Sequence, residues 1–375
     1  MNERGDCLKN NKTIFFVGIL FLSVLLSWVF VTHNAHLYQQ TVVKITKNTV
    51  VKSVETTDAT HNKDLVTTQE LTGIVKNGAH KGDKILLKNE YSLSGAHDEK
   101  YRVGDELFVS ISKKSKTPLE GSIDGVKRDQ YLLIVGWIFL LSALFVGKKS
   151  GVFSIISLIL NIVILSIVLD YYIRSENGNL LIISMGMVVL FTVISLFLVS
   201  GNNRKTYAAI ISTLIGTFIS FFIAYGVMNL LGDRGLRYEE MQFLTRAPRK
   251  VFLAGVLIGS LGAVMDVAII MASTVQELVT KNKEISKEAL VKSGMEIGKD
   301  IMGAMTNVLF FAYISGAVPM VLLYLKNGAA IGYTLSMNLS LELARALAGS
   351  IGIVLTIPIG LYISIYFIHK KGGIK

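Results

Sequence analysis

Residues 251–275 read VFLAGVLIGSLGAVMDVAIIMASTV, an apolar run long enough to cross a bilayer, with one carboxylate, Asp266, inside it. A spanning helix needs about 20 apolar residues, and an acid at its centre costs about 2.5–3.5 kcal/mol on insertion scales. Such an acid is kept where it faces a protein interior or an aqueous path, or where it pairs with a neighbouring helix. Asp266 is therefore a candidate functional residue by default. On a helix, Gly255, Gly259, Gly262 and Asp266 share one stripe at steps of four, three and four. Those glycines would let a neighbouring helix approach closely.

The whole chain has the composition this stretch implies. Hydrophobic residues make up 51% and charged residues 17%, against the roughly 25% charged of ordinary soluble proteins, and mean hydropathy is +0.52. The formal charge of +11 sits in short loops between apolar runs, where Lys and Arg set topology. That placement argues against a nucleic-acid partner. The single Cys7 excludes an internal disulfide framework and a cysteine metal cluster.

About eight apolar spans can be drawn: 14–31, 131–147, 151–173, 179–200, 206–231, 251–275, 303–325 and 348–368. The first follows Arg4, Lys9 and Lys12 and lacks a small-x-small cleavage site, so a retained signal-anchor is expected rather than a cleaved signal. With the N-terminus cytoplasmic, Lys148 and Lys149, Arg204 and Lys205, the lysines of 281–299, and Lys370, Lys371 and Lys375 all fall inside. That predicts a multipass protein of the cytoplasmic membrane with both termini in the cytoplasm. Segment 232–250 dissents: it should lie outside yet holds Arg234, Arg237, Arg246, Arg249 and Lys250. Its Leu236, Met241, Phe243 and Leu244 predict an interfacial segment rather than a free loop.

Residues 32–130 form one block outside the membrane. The runs TVVKITKNTVVKSV, LVTTQELTGIVKNG, KILLKN and ELFVSIS, broken by turn signals at 76–84 and 103–106, predict a small β-barrel or sandwich of the OB or SH3 kind. The expected organisation is a signal-anchor in 1–31, an extracytoplasmic β domain in 32–130 and a helical membrane domain in 131–375.

Two further stripes carry polar chemistry. Glu296, Asp300, Gly303 and Asn307 recur at steps of four, three and four, with Thr306 beside them. Antiparallel packing would bring Asp266 to about the depth of Thr306 and Asn307, so Asp266, Asp300, Thr306 and Asn307 form a candidate proton, cation or substrate path. Interhelical hydrogen bonding accounts equally for Thr306 and Asn307, and a solvated or lysine-paired helix end for Asp300 and Glu296. Glu342, Arg345, Gly349, Gly352 and Thr356 make the other stripe. Glu342 and Arg345, three apart, can pair as an outer gate or as a plain interfacial ion pair. Gly255, Gly259, Gly262, Gly303, Gly349 and Gly352 are the expected helix-packing positions. Pro319 and Pro358 permit kinks.

The histidines His33, His36, His61, His80 and His97 are too scattered for a zinc site. No phosphate loop, nucleophile elbow or HExxH run occurs. No metal, cofactor or enzymatic activity is expected.

The blocks GSLGAVMDVAIIMASTVQEL, GMEIGKDIMGAMTNVLFFAYISGAVPMVLLY and LELARALAGSIGIVLTIP, in that order, resemble the YibE/F-like family of multipass membrane proteins. The resemblance implies an integral membrane location and a transport-like architecture, and it supplies no substrate. This chain has Met265–Asp266 where related sequences tend to carry two acids. It has Gly298–Lys299–Asp300 in place of a GRD step, while the T-N and E-x-x-R steps stand as Thr306–Asn307 and Glu342/Arg345.

Together these features predict a transporter or permease with a carboxylate-centred proton or cation site. The alternative is a non-transporting scaffold or assembly factor for envelope or exported proteins that acts through the outer β domain. Expected partners are the lipid bilayer and a paired homologous subunit or a second copy.

Overall fold

A computed structural model describes residues 3–59, 61–95, 98–112, 119–175, 178–241 and 247–369. His97, Phe243, Leu244, Arg246, Lys370, Lys371 and Lys375 lie outside these. The chain divides into two compact units, Met1–Ser142 and Ala143–Lys375. The division falls inside a helix rather than at residue 131.

The first unit starts with helix α1 (Glu3–His33) and continues into five strands: β1 (Thr41–Thr57), β2 (Lys63–Val75), β3 (Lys84–Ser92), β4 (Glu106–Ile111) and β5 (Leu119–Val126). They close a barrel in the order β1-β2-β3-β5-β4. Neighbours are antiparallel except for β3 and β5, which run parallel. Alternation along β1 and β2 sends Val43, Ile45, Leu71 and Val75 inward, where they meet Ile85, Leu87, Leu107 and Val109. Gly73 is required where β2 crosses β1, because a Cβ there would overlap Val43 and lie 3.1 Å from the Lys44 carbonyl. The far half of β1 runs beyond the barrel with Val50, Val51 and Val54 exposed. Two bulges interrupt its pairing with β2, between Ile45 and Lys47 and between Val50 and Lys52.

Three elements of this unit are joined through Lys127. Its buried ammonium donates to the Val31 carbonyl (3.0 Å) and to Glu106 (2.8 Å), and lies 3.6 Å from Asp129. Asp129 also accepts from Tyr38 (2.5 Å) and Asn34 (3.0 Å).

Asp129 opens helix α2 (Asp129–Arg174), which is broken at Lys148, with φ 47° and ψ −124°. A Cβ on Gly151 would overlap the Ala143 carbonyl. In a straight helix those residues stand about 12 Å apart, so the chain folds back sharply here.

The second unit continues with α3 (Leu180–Ser200), α4 (Arg204–Leu231), α5 (Pro248–Lys281), α6 (Lys287–Lys326) and α7 (Ile331–His369). Among the described residues seven helices are long and apolar enough to cross a membrane, which marks the chain as a membrane protein. α5 packs on α3, α4, α6 and α7, and α7 packs on α4, α5 and α6, so these two form the centre. Small residues set the spacing: a Cβ on Gly216 of α4 would overlap Thr356 of α7, and one on Gly352 of α7 would lie 2.8 Å from Val264 of α5. The inward face of α4 carries Ser212, Thr213, Thr217 and Ser220, all fully buried. The hydroxyls of Thr213 and Thr217 have no hydrogen-bond partner among the described residues.

Candidate functional site

The polar chemistry of the helical unit concentrates where the N-terminal halves of α5 and α7 meet segment 232–241. Gly232 ends α4 in the left-handed region (φ 60°), and Asp233 follows at φ 59°. The segment then lies on α7: the Arg237 backbone N–H donates to Ser340 (3.1 Å), and its Nε to Ser336 (3.4 Å). Leu236, Tyr238 and Met241 pack onto the bundle core. The described part of the expected interfacial segment, 232–241, is thus a flap held against protein, because Leu236 and Met241 find a helical surface to cover. Arg249, near the start of α5, pairs with Asp233 (2.7 Å) and with Asn229, and stacks 5.6 Å from the Tyr225 ring.

This flap carries Glu240 to the Glu342–Arg345 pair of α7. Glu342 and Arg345 bridge one another, each 19% exposed, and the guanidinium lies over the Phe252 ring at 5.3 Å. Glu240 is half-buried, and its Oε2 has no hydrogen-bond partner among the described residues. Burial, and next the Glu342 charge, push its carboxyl up to about 7 against the opposing pull of Arg345. Two acids around one guanidinium leave an excess negative charge that one proton removes. Glu240 is the member that sequence reasoning missed. It stands about a hundred residues from Glu342, and no spacing connects them.

A cavity of about 430 Å³ reaches Arg345 from the side. Its walls are Leu165 and Leu169 of α2, Ser184 and Met187 of α3, Gly255, Ile258 and Gly259 of α5, and Tyr313 of α6. Gly255 leaves room for Arg345, whose Nε would be 3.9 Å from a Cβ there, and a Cβ on Gly259 would overlap the Tyr313 hydroxyl. The buried Ser184 hydroxyl has no partner among the described residues. This volume falls in the range of small-molecule pockets.

The family comparison agrees with the chain's two-part organisation. The YibE/F-like protein family matches residues 135–370, and the YibE/F family N-terminal domain matches residues 36–126. The chain belongs to the YibE/F-like family. No curated protein matches it, and no solved structure does.

The remaining predicted residues of this family member are placed as follows. Asp266 is exposed on the outer face of α5, beside the exposed Gly262, with no hydrogen-bond or ion partner among the described residues. It does not face the interior of the single chain. The more apolar faces of α5, with Val264, Val267, Met271 and Val275, take the contacts with the other helices. Thr306 is half-buried, with its hydroxyl enclosed and unpartnered; Asn307, Asp300 and Glu296 are exposed. The Gly259–Tyr313 contact sets α5 against α6. Seven residues further inward on each helix stand Asp266 and Thr306, so they share a depth, though no contact joins them.

Of the glycines, Gly349 sits under Leu309 with the Ser260 Cβ at 3.7 Å, and Gly352 sits against Val264 and Ser220. Gly262 and Gly303 meet nothing within 4 Å, so they are not packing positions in the single chain. Gly294 and Gly298, not among the expected packing positions, do bring α6 onto Leu361 and Ile357 of α7. Among the described residues no group of three His, Cys, Asp or Glu side chains is placed to hold a metal ion.

Proposed function

We propose that this YibE/F-like protein is a proton-linked transporter or permease. The supporting observation is the Glu240–Arg345–Glu342 cluster beside the 430 Å³ cavity, in which segment 232–241 carries a carboxyl whose pKa is raised to about 7. Protonated Glu240 leaves Arg345 balanced by Glu342, and the flap stays down. Ionised Glu240 competes for the same guanidinium and weakens the flap's hold. Asp266, at the depth of Thr306 but on the exposed face of α5, is the second candidate carboxylate. Asp300 and Asn307 stand toward the cytoplasmic end.

In this reading α2 counts as two spans parted at Lys148, giving eight in all, with both termini cytoplasmic and the flap and barrel on the outer side. The closed five-stranded barrel is consistent with an OB-type module that binds or positions ligands. The exposed ribbon at Val50, Val51 and Val54 favours a second reading, a scaffold for envelope proteins that works through the barrel.

Proton flux into proteoliposomes separates the two. Wild-type flux that is lost in Asp266→Asn and shifted in pH dependence in Glu240→Gln supports transport. Equal flux in all three removes both carboxylates from the mechanism. Normal flux-independent function that is lost on deleting 36–126 favours the scaffold.

A further inference from the structure

A cavity of about 520 Å³ lies where the N-terminus of α4 meets the C-terminal turns of α5 and α7, at the opposite helix ends from Glu240. Its lining includes Arg204 and Lys205 and, among the described residues, holds no carboxylate. Asn203, at the N-cap of α4, donates its amide to the Ser200 carbonyl (2.8 Å) instead of capping the helix. The Thr206 and Tyr207 N–H groups bond to the Asn203 carbonyl at 3.0 and 3.2 Å, but those of Arg204 and Lys205 meet no acceptor among the described residues. The positive end of a 28-residue helix thus faces the cavity uncapped.

A second, independent feature points to the same ligand. Ser364 of α7 lines the cavity, is 2% exposed, and its hydroxyl has no partner among the described residues. A buried hydroxyl left unpaired costs about 1–3 kcal/mol, so a bound acceptor is its natural complement. Arg204 spends one N–H on the Phe367 carbonyl (3.1 Å), which fixes the guanidinium at the cavity wall, and its other donors meet no acceptor among the described residues. Lys205 forms no ion pair among the described residues.

We propose that this cavity binds a phosphate-type anion, held by the free N–H groups of α4, the Arg204 and Lys205 charges and the buried Ser364 hydroxyl. Its place at the ends of apolar helices suits a lipid phosphate. A soluble phosphate offers the same chemistry. This site is separate from the Glu240 cluster and does not depend on the transport reading.

The test uses the full-length protein in detergent, titrated with inorganic phosphate and with dioctanoyl phosphatidic acid, and with dioctanoyl phosphatidylcholine as the zwitterionic control. Binding is read by calorimetry and by the rise in melting temperature. The expected result is saturable binding of at least one anion, weakened about tenfold by Ser364→Ala, the loss of one hydrogen bond to a charged group. Lys205→Gln, at a half-buried position that tolerates polar replacement, should weaken binding and flatten its salt dependence. Binding of both anions assigns a phosphate site, and binding of the phosphatidic acid alone assigns a lipid headgroup site. Absence of saturable binding of either, or equal affinity in wild type and both variants at unchanged unliganded melting temperatures, overturns the proposal.

Discussion

Glu240 is held where its charged form is disfavoured, with a folded pKa near 7 against an ordinary value of 4.5. A raised carboxyl contributes stability that is complete below the unfolded value and is lost as pH rises through the folded one. The melting temperature of the purified protein should therefore decline between about pH 4.5 and pH 7. Glu240→Gln should remove much of that slope, and an unchanged slope would show that Glu240 is not the group responsible. The glycines give a second contrast at this scale. Gly259→Ala drives a methyl into the Tyr313 hydroxyl, whereas Gly262→Ala enters open space on the same stripe. Thermal melts should show a loss of about 1–3 kcal/mol for the first. The second should be neutral or gain up to about 1 kcal/mol from helix propensity. Equal effects would mean that the stripe is not divided as the contacts indicate. Asp266 was legible because one charge in an apolar run is conspicuous by itself. Glu240 was not, because its meaning comes from a flap laid across the bundle by tertiary contacts.

Individual elements were readable to different degrees, for physical reasons. β1 to β4 announce themselves through alternating Val, Ile and Leu. β5, LEGSIDGV, does not: Gly121 and Gly125 break the alternation, and Gly121 is there because a Cβ would stand 2.7 Å from the Ser110 carbonyl. Barrel closure depends on this least recognisable strand. The junction between α1, the barrel and α2 was equally hidden, since Lys127 reads as an ordinary loop cation. Its side chain is only 1% exposed and faces two carboxylates, Glu106 and Asp129. Lys127→Ala would leave those acids facing each other without a counter-charge, at a cost of about 3–5 kcal/mol typical of a broken buried pair. Hydrogen exchange should show the loss as faster exchange in β1 and β4 while α5 and α7 keep their protection. Uniform protection in the variant would show that Lys127 is not what joins the three elements.

At the scale of the whole molecule, the break at Lys148 decides the topology. Counted as one span, α2 leaves segment 175–178 cytoplasmic and 201–203 outside. Counted as two, it reverses both and every later loop, and it returns Arg204, Lys205 and the lysines of 281–299 to the cytoplasm as the positive-inside rule requires. We propose two, on the ground that Lys148 leaves the helical region and Gly151 comes back against Ala143 within a span of eight residues. The prediction is tested in a Cys7→Ser background with single cysteines at Gly82 in the barrel, Gly178, Asn202 and Gly328. With an impermeant maleimide applied to intact cells, the cysteines at 82, 178 and 328 should label, and the one at 202 only after permeabilisation. Labelling at 82 and 202 with protection at 178 and 328 would make α2 a single span. That outcome would place the flap and Glu240 on the cytoplasmic side and the Ser364 cavity on the outer side, so the pH that Glu240 senses and the pool of anions open to Ser364 both follow from one backbone turn.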